Sequence, residues 1–260
     1  MIDDLPRNDF KRALAAGAPQ IGLWLSMTSP VATEIVAGAG FDWMLVDMEH
    51  SANDLTDVVA HLRAAVGGSA EPVVRVPWNE PVLVKRVLDA GARSLLFPFV
   101  QSAEEARRAV AATRYPPKGI RGVAGTTRAN RYGRVKDYPK RVEDELCILV
   151  QVETQQAVGE IEAIAAIDGV DGLFIGPADL SASMGHIGNW QRPEIWQTIV
   201  GAGQRIRKAG KAAGFLSARE DECRKVLDAG FQFVAVGSDV GILARQSEAL
   251  ARAYNKSDTP

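Results

Sequence analysis

Residues 45–50, Leu-Val-Asp-Met-Glu-His, end an apolar run with Asp47, Glu49 and His50 crowded together. Carboxylates and imidazoles ligate metals, transfer protons, and also simply occur where a strand meets water. The hexapeptide alone leaves all three readings open. Other apolar runs close in a similar way: Arg75 stands between valines in Val-Val-Arg-Val-Pro-Trp, Gln151 and Glu153 close Ile-Leu-Val-Gln-Val-Glu, and Asp179 follows in Leu-Phe-Ile-Gly-Pro-Ala-Asp. A buried arginine is costly unless its planar fork meets an anion or a carboxylate. Arg75 is therefore either an anion-binding group or half of a structural ion pair with Asp47. Gln151 and Glu153 lie two apart and share one face of a strand. Taken singly, Glu153 also fits a helix N-terminal carboxylate and Asp179 a helix cap. Taken together, two carboxylates with neutral oxygens nearby suit a hard divalent cation that keeps several waters, magnesium or manganese rather than zinc. The turn Gly176, Pro177, Ala178, Asp179 adds backbone N–H groups that can hold a carboxylate or phosphate. No lysine closes an apolar run, which disfavours Schiff-base chemistry.

The elements that position these residues repeat. Gly40, Gly91, Gly169 and Gly230 each end a helical pattern and open an apolar run, and the seventh residue on is Asp47, Pro98, Gly176 or Gly237. Glycine suits the left-handed turn after a helix, and the run reads as a strand buried on both faces. With the remaining apolar runs, eight strands are expected at 21–27, 43–48, 73–76, 94–99, 147–152, 172–175, 212–216 and 233–236, separated by helical patterns. This predicts one α/β domain over residues 1–260, a (β/α)8 TIM barrel, whose usual length is about 250 residues and whose chemistry gathers at the carboxyl ends of the strands. An open doubly wound sheet ranks second, since no glycine-rich phosphate loop opens a helix. One connection is long: residues 115–138 carry Arg121, Arg128, Arg131 and Arg134. That loop is either a solvated surface, a wall over an anionic substrate, or a subunit contact. His61 reads as a helix-surface residue, His186 as an exposed loop residue, Trp24 and Trp43 as core or interface, and Trp78 as a candidate pocket wall.

The chain of 260 residues is 47% hydrophobic and 24% charged, with a net charge of -2, and it contains no like-charge block. Nucleic-acid and membrane-surface partners are therefore not expected, and small molecules are. The charged N-terminus lacks the apolar core of a signal peptide, which favours a cytoplasmic location. Cys147 and Cys223 lie far apart and read as free thiols.

The stretches Val-Asp-Met-Glu-His-Ser-Ala-Asn-Asp, Ala-Thr-Arg-Tyr-Pro-Pro-Lys-Gly-Ile-Arg-Gly and Phe-Ile-Gly-Pro-Ala-Asp-Leu-Ser resemble the metal-dependent (class II) pyruvate aldolases of the 4-hydroxy-2-oxoheptane-1,7-dioate aldolase (HpcH/HpaI) family. The resemblance runs from about Gly22 to the final helix. It implies a barrel of the phosphoenolpyruvate/pyruvate superfamily and a role in aromatic compound catabolism. The reaction would be reversible cleavage of 4-hydroxy-2-oxo acids to pyruvate and an aldehyde, with Mg2+, Mn2+ or Co2+ as cofactor. Another enolate-forming lyase, acting on acyl-CoA or a phosphoenolpyruvate-type substrate, is the alternative. Residue by residue, it implies metal ligation by Glu153 and Asp179, acid/base work by His50, and contact of Arg75 with the keto oxygen. Gln151 would lie near pyruvate and the amides of residues 176–179 on its carboxylate. Asp47 and Asp89 would orient the histidine and arginine, Asp89 being able to reach across a subunit interface. The family implies a hexamer, a trimer of dimers, with the last helix a candidate for exchange between subunits. Met48 departs from the glycine of many relatives.

Overall fold

A computed structural model of the chain describes residues 5–254. Eight parallel strands close into a barrel in chain order: β1 Gln20–Leu25, β2 Trp43–Asp47, β3 Glu71–Arg75, β4 Ser94–Phe97, β5 Cys147–Val152, β6 Gly172–Ile175, β7 Ala212–Leu216 and β8 Phe233–Ser238. Pairing of β1 with β8 shuts the sheet. Around it run α1 Asp9–Ala15, α2 Pro30–Ala37, α3 Leu55–Ala64, α4 Pro81–Asp89, α5 Ala103–Thr113, α6 Tyr138–Arg141, α7 Gln155–Gly159, α8 Ile161–Ala165, α9 Pro177–Ser183, α10 Pro193–Lys208, α11 Glu220–Asp228 and α12 Asp239–Tyr254. All eight expected strands are present. The fourth stops at Phe97 rather than residue 99, because Pro98 has no N–H to donate and Phe99 adopts φ 52.

Strand alternation divides the core into two layers. Trp24, Trp43, Leu45, Val73, Leu96, Cys147, Leu149, Phe174 and Phe233 fill the barrel, while α1 closes its amino end with Phe10 and Leu14. The intervening residues, such as Met44, Val46, Val74, Ile148 and Val150, pack against the surrounding helices. Large aromatic rings fit inside only where their neighbours lack side chains. A Cβ on Gly22 would collide with the Trp43 indole, and one on Gly214 with the Phe233 ring. Both rings are fully buried and have no room to retreat.

Continuing the inward series by one step places polar residues at the carboxyl end. Trp43 and Leu45 lead to Asp47, Val73 to Arg75, and Cys147 and Leu149 to Gln151. This polar layer is thus the topmost storey of the core.

The long connection lies elsewhere. It follows α5 and therefore returns to the amino end of the barrel. There Arg128 donates to the carbonyls of Ala90 and Leu62, and Arg121 is fully buried against Asp89. Its arginines cannot wall the mouth of their own barrel. His61 also departs from expectation: it is 1% exposed, on the inner face of α3.

Replacing Gly214 by alanine is expected to destabilise the chain by about 1–3 kcal/mol through overpacking against Phe233. A denaturant midpoint unchanged from the parent chain would contradict this packing.

Candidate active site

The carboxyl end of the barrel gathers Asp47, Glu49, His50, Arg75, Gln151, Glu153 and Asp179. Register sets its central pair, since Asp47 and Arg75 are partners across β2 and β3. Arg75 Nε donates to Asp47 Oδ1 at 2.8 Å, and its Nη2 donates to Oδ2 at 2.6 Å. Arg75 is therefore paired with Asp47, in bidentate form. Trp24 contributes twice: Nε1 donates to Asp47 Oδ2 at 3.2 Å, and the ring lies 5.0 Å beneath the guanidinium carbon. Burial alone would raise the Asp47 pKa, but the hydrogen bonds and charge of Arg75, with the Glu49 amide and Trp24, hold it below the usual carboxylate range.

Glu49 takes the other edge of Arg75, its Oε2 lying 2.8 Å from Nη1 but off the N–H direction, so that this buried oxygen accepts no hydrogen bond. Burial raises the Glu49 pKa, with Arg75 and His50 opposing and the charges of Asp47 and Asp179 adding to the rise. His50 stands out into the mouth with its side chain 65% exposed and Nε2 3.8 Å from Glu49 Oε1. Asp47 does not touch the His50 ring. It accepts the backbone N–H groups of Glu49 and His50 at 3.0 and 3.3 Å, so it orients the arginine and the turn rather than the imidazole.

Across the mouth, β5 delivers Gln151 and Glu153, both almost completely buried. Gln151 Nε2 donates to Glu153 Oε2 in a very short hydrogen bond, and the Phe99 N–H donates to Oε1 at 2.8 Å. Glu153 does not cap the following helix, because Thr154 does. Asp179 lies in the first turn of α9, exposed to the mouth, while the N-cap position belongs to Gly176. Burial drives the Glu153 pKa up to about 7, reinforced by the charges of Asp179 and Glu49 and opposed by the two hydrogen bonds. Gly176 makes this approach feasible, since a methyl group there would strike the Glu153 carboxylate and lie 3.1 Å from Gln151 Nε2. Of residues 176–179, Pro177 has no N–H and the Gly176 N–H is spent on Val152. The amides left for a ligand are those of Ala178 and Asp179.

Asp89 stands apart. It is the last residue of α4, at the amino end of the barrel, where it accepts from Arg121 Nη2 at 2.8 Å. His186 lies in the connection after α9, with Nε2 3.9 Å from Glu194 Oε1.

The donor set fits a hydrated divalent cation. Glu153 and Asp179 are close enough to repel, and two buried acceptors, Glu49 Oε2 and Gln151 Oε1, have no hydrogen-bond donor. Among the described residues no three His, Cys, Asp or Glu side chains converge into a metal cage. Two carboxylates would leave coordination positions for water and substrate.

A family model described as HpcH/HpaI aldolase/citrate lyase matches residues 20–245, which include every residue of this cluster. The chain belongs to the HpcH/HpaI family. A 4-hydroxy-2-oxo-heptane-1,7-dioate aldolase from Klebsiella pneumoniae is 53% identical over 253 residues, 97% of this chain and 96% of that protein. Among solved structures, an HpcH/HpaI aldolase/citrate lyase family protein from Burkholderia cenocepacia superimposes with a TM-score of 0.92 at 42% identity, covering 95% of this chain and all of that one. An HpcH/HpaI aldolase from Desulfitobacterium hafniense gives 0.87 at 30% identity, covering 96% and 98%.

Two contributors to this HpcH/HpaI site escape sequence reasoning. Trp24 reads in the sequence as core or interface, although its place on the inward face of β1 is the signal that could have found it. Glu49 is conspicuous in the sequence beside His50, but its place against Arg75 is given only by the fold of the turn beyond β2. Phe99 acts through its main chain, where residue type carries no information; its ring stacks on Trp78 at 5.9 Å, and both rings are exposed beside the mouth.

Because protonated Glu153 cannot ligate a cation, affinity for Mn2+ is expected to rise with pH up to about 7 and to level off above it. The sign follows from the raised pKa: below it proton and metal compete, by about tenfold per pH unit at most. Calorimetric affinities that stay flat between pH 5.5 and 8 would contradict the assignment.

Proposed function

We propose that the chain is a divalent-metal-dependent carbon–carbon lyase that reversibly cleaves 4-hydroxy-2-oxo acids to pyruvate and an aldehyde. One observation carries this reading: a fixed cation, Arg75, faces an acceptor-rich carboxylate pair, Glu153 and Asp179, across a single mouth that also exposes a free imidazole, His50. Glu153 and Asp179 would hold a Mg2+, Mn2+ or Co2+ ion, which would supply Lewis-acid polarisation of the 2-oxo group.

The chain's own residues supply the rest. The amides of Ala178 and Asp179 take the substrate carboxylate at the first turn of α9. Gln151, pinned through Nε2, turns Oε1 toward the bound acid. Arg75, prevented from swinging by Asp47 and Trp24, stabilises the negative oxygen of the pyruvate enolate as the C3–C4 bond breaks. His50 removes the C4 hydroxyl proton in cleavage and returns it in condensation, a task suited to an imidazole near neutral pH. Among the described residues of one chain no carboxylate hydrogen-bonds the His50 ring. Asp89, at the far end of the barrel, can serve it only from a neighbouring subunit.

An assembly of that kind agrees with α12, on which Ile242, Leu243 and Leu250 are exposed. We place the chain in a hexamer, a trimer of dimers, in which this helix packs on a neighbour. Among the described residues no helix is long and apolar enough to cross a membrane, and both cysteines are free, in keeping with a cytoplasmic enzyme.

The reading is tested by assaying pyruvate release from a panel of 4-hydroxy-2-oxo acids before and after exhaustive chelation; full activity without metal would exclude it. In the same assay His50→Ala is expected to lower turnover about 100-fold or more while leaving Mn2+ affinity near that of the parent. Arg75→Lys should also be poor, because a point charge cannot reproduce the bidentate fork on Asp47. Near-parental turnover of the lysine variant would reduce Arg75 to a structural ion pair.

A further inference from the structure

Beneath the exposed His50 runs a line of buried polar groups with no part in the chemistry above. Thr33 on α2, His61 on α3 and Asn53 in the turn after β2 are 0%, 1% and 5% exposed. Thr33 Oγ1 and His61 Nδ1 are 2.5 Å apart, and His61 Nε2 lies 2.9 Å from Asn53 Oδ1. Asn53 Nδ2 donates to the Asp47 carbonyl and to Ser51 Oγ, each at 2.9 Å, and Ser51 Oγ donates to the same carbonyl at 2.5 Å. With its amide nitrogen committed to two acceptors, Asn53 must accept through Oδ1, so His61 carries its proton on Nε2 and accepts from Thr33 through Nδ1. Burial lowers the His61 pKa against the charges of Asp57 and Asp239, which favours the neutral ring.

The line ends where it matters. Among the described residues the His50 ring has Glu49 as its one charged partner, at 3.8 Å, so its position depends on the backbone of the turn that carries it. The near side of that turn is fastened by the Asp47 carboxylate, itself fixed by strand register and Arg75. The far side is fastened by Ser51 and Asn53, and Asn53 is fastened by His61. We propose that His61, acting through Asn53, is a positioning residue for His50: the network meets Asp47 at its backbone carbonyl, not at the carboxylate that holds Arg75. This rests on the aldolase reading, in which His50 moves the hydroxyl proton.

Two reactions separate the roles. Cleavage of a 4-hydroxy-2-oxo acid needs the hydroxyl proton removed, whereas loss of CO2 from oxaloacetate leaves the same pyruvate enolate with no hydroxyl to deprotonate. Both are measured on the full chain with Mn2+. His61→Leu is expected to lower kcat for cleavage about tenfold to a hundredfold, the cost of a misplaced catalytic group. KM and oxaloacetate decarboxylation should stay near parental. His61→Gln, whose amide can donate to Asn53 and accept from Thr33, should restore most of the cleavage rate. Thr33→Val, which deletes only the hydroxyl at the far end, supplies the same comparison if the leucine variant fails to fold. Equal loss of both reactions, no loss of either, or a glutamine variant no better than leucine would overturn the proposal. A parent chain that decarboxylates oxaloacetate but cleaves no 4-hydroxy-2-oxo acid would instead overturn the reading on which it rests.

Discussion

The mouth of the barrel depends on one buried ion pair, Asp47 with Arg75. Both side chains are nearly excluded from solvent, and taking two charges out of water is expensive unless every lone pair and proton finds a partner. Here the accounting nearly closes. Arg75 has Asp47 on two nitrogens, Glu49 beside the third and Trp24 beneath, while Asp47 accepts from Arg75, Trp24 and two backbone amides. A guanidinium held on so many sides has little freedom left, and its charge is fixed before any ligand arrives. Such preorganisation is what makes an electrostatic group useful in a low-dielectric pocket.

The opposite wall follows the reverse rule. Glu153 is buried beside Asp179 and Glu49 with only neutral donors for company, so its charge is under-compensated in the protein alone. One half of the mouth is saturated and stable; the other is short of positive charge. The barrel thereby separates a permanent cation from a place that calls for one, and a small dianion or keto acid can bridge the two.

Much of this was legible in the sequence, for a definite reason. Period-two alternation in a closed barrel leaves no choice about which residues face inward, so Asp47, Arg75 and Gln151 could be placed from their spacing behind Leu45, Val73 and Leu149, and Glu153 follows two residues on. Glycines at 40, 91, 169 and 230 marked the helix-to-strand turns because a positive φ is needed there, and all four adopt it. What resisted was information that period and composition do not carry. His61 looks like a surface residue in a helical pattern, and only the tertiary packing of α2 against α3 buries it. The arginine-rich loop could not be assigned to an end of the barrel until the length of α5 was known. Asp89 has no legible part in the chemistry of a single chain, since at the amino end of the barrel it pairs with Arg121.

Phe99 carries a consequence of its own. Its left-handed backbone aims an N–H at Glu153, and any residue that tolerates that conformation delivers the same hydrogen bond. The ring is therefore uncoupled from the carboxylate it helps to orient, although it stands at the rim of the mouth against Trp78. Chemistry is written in the main chain at this position and surface character in the side chain. Drift in the one need not disturb the other, which gives the barrel a place where its rim can be rewritten while its reaction is conserved.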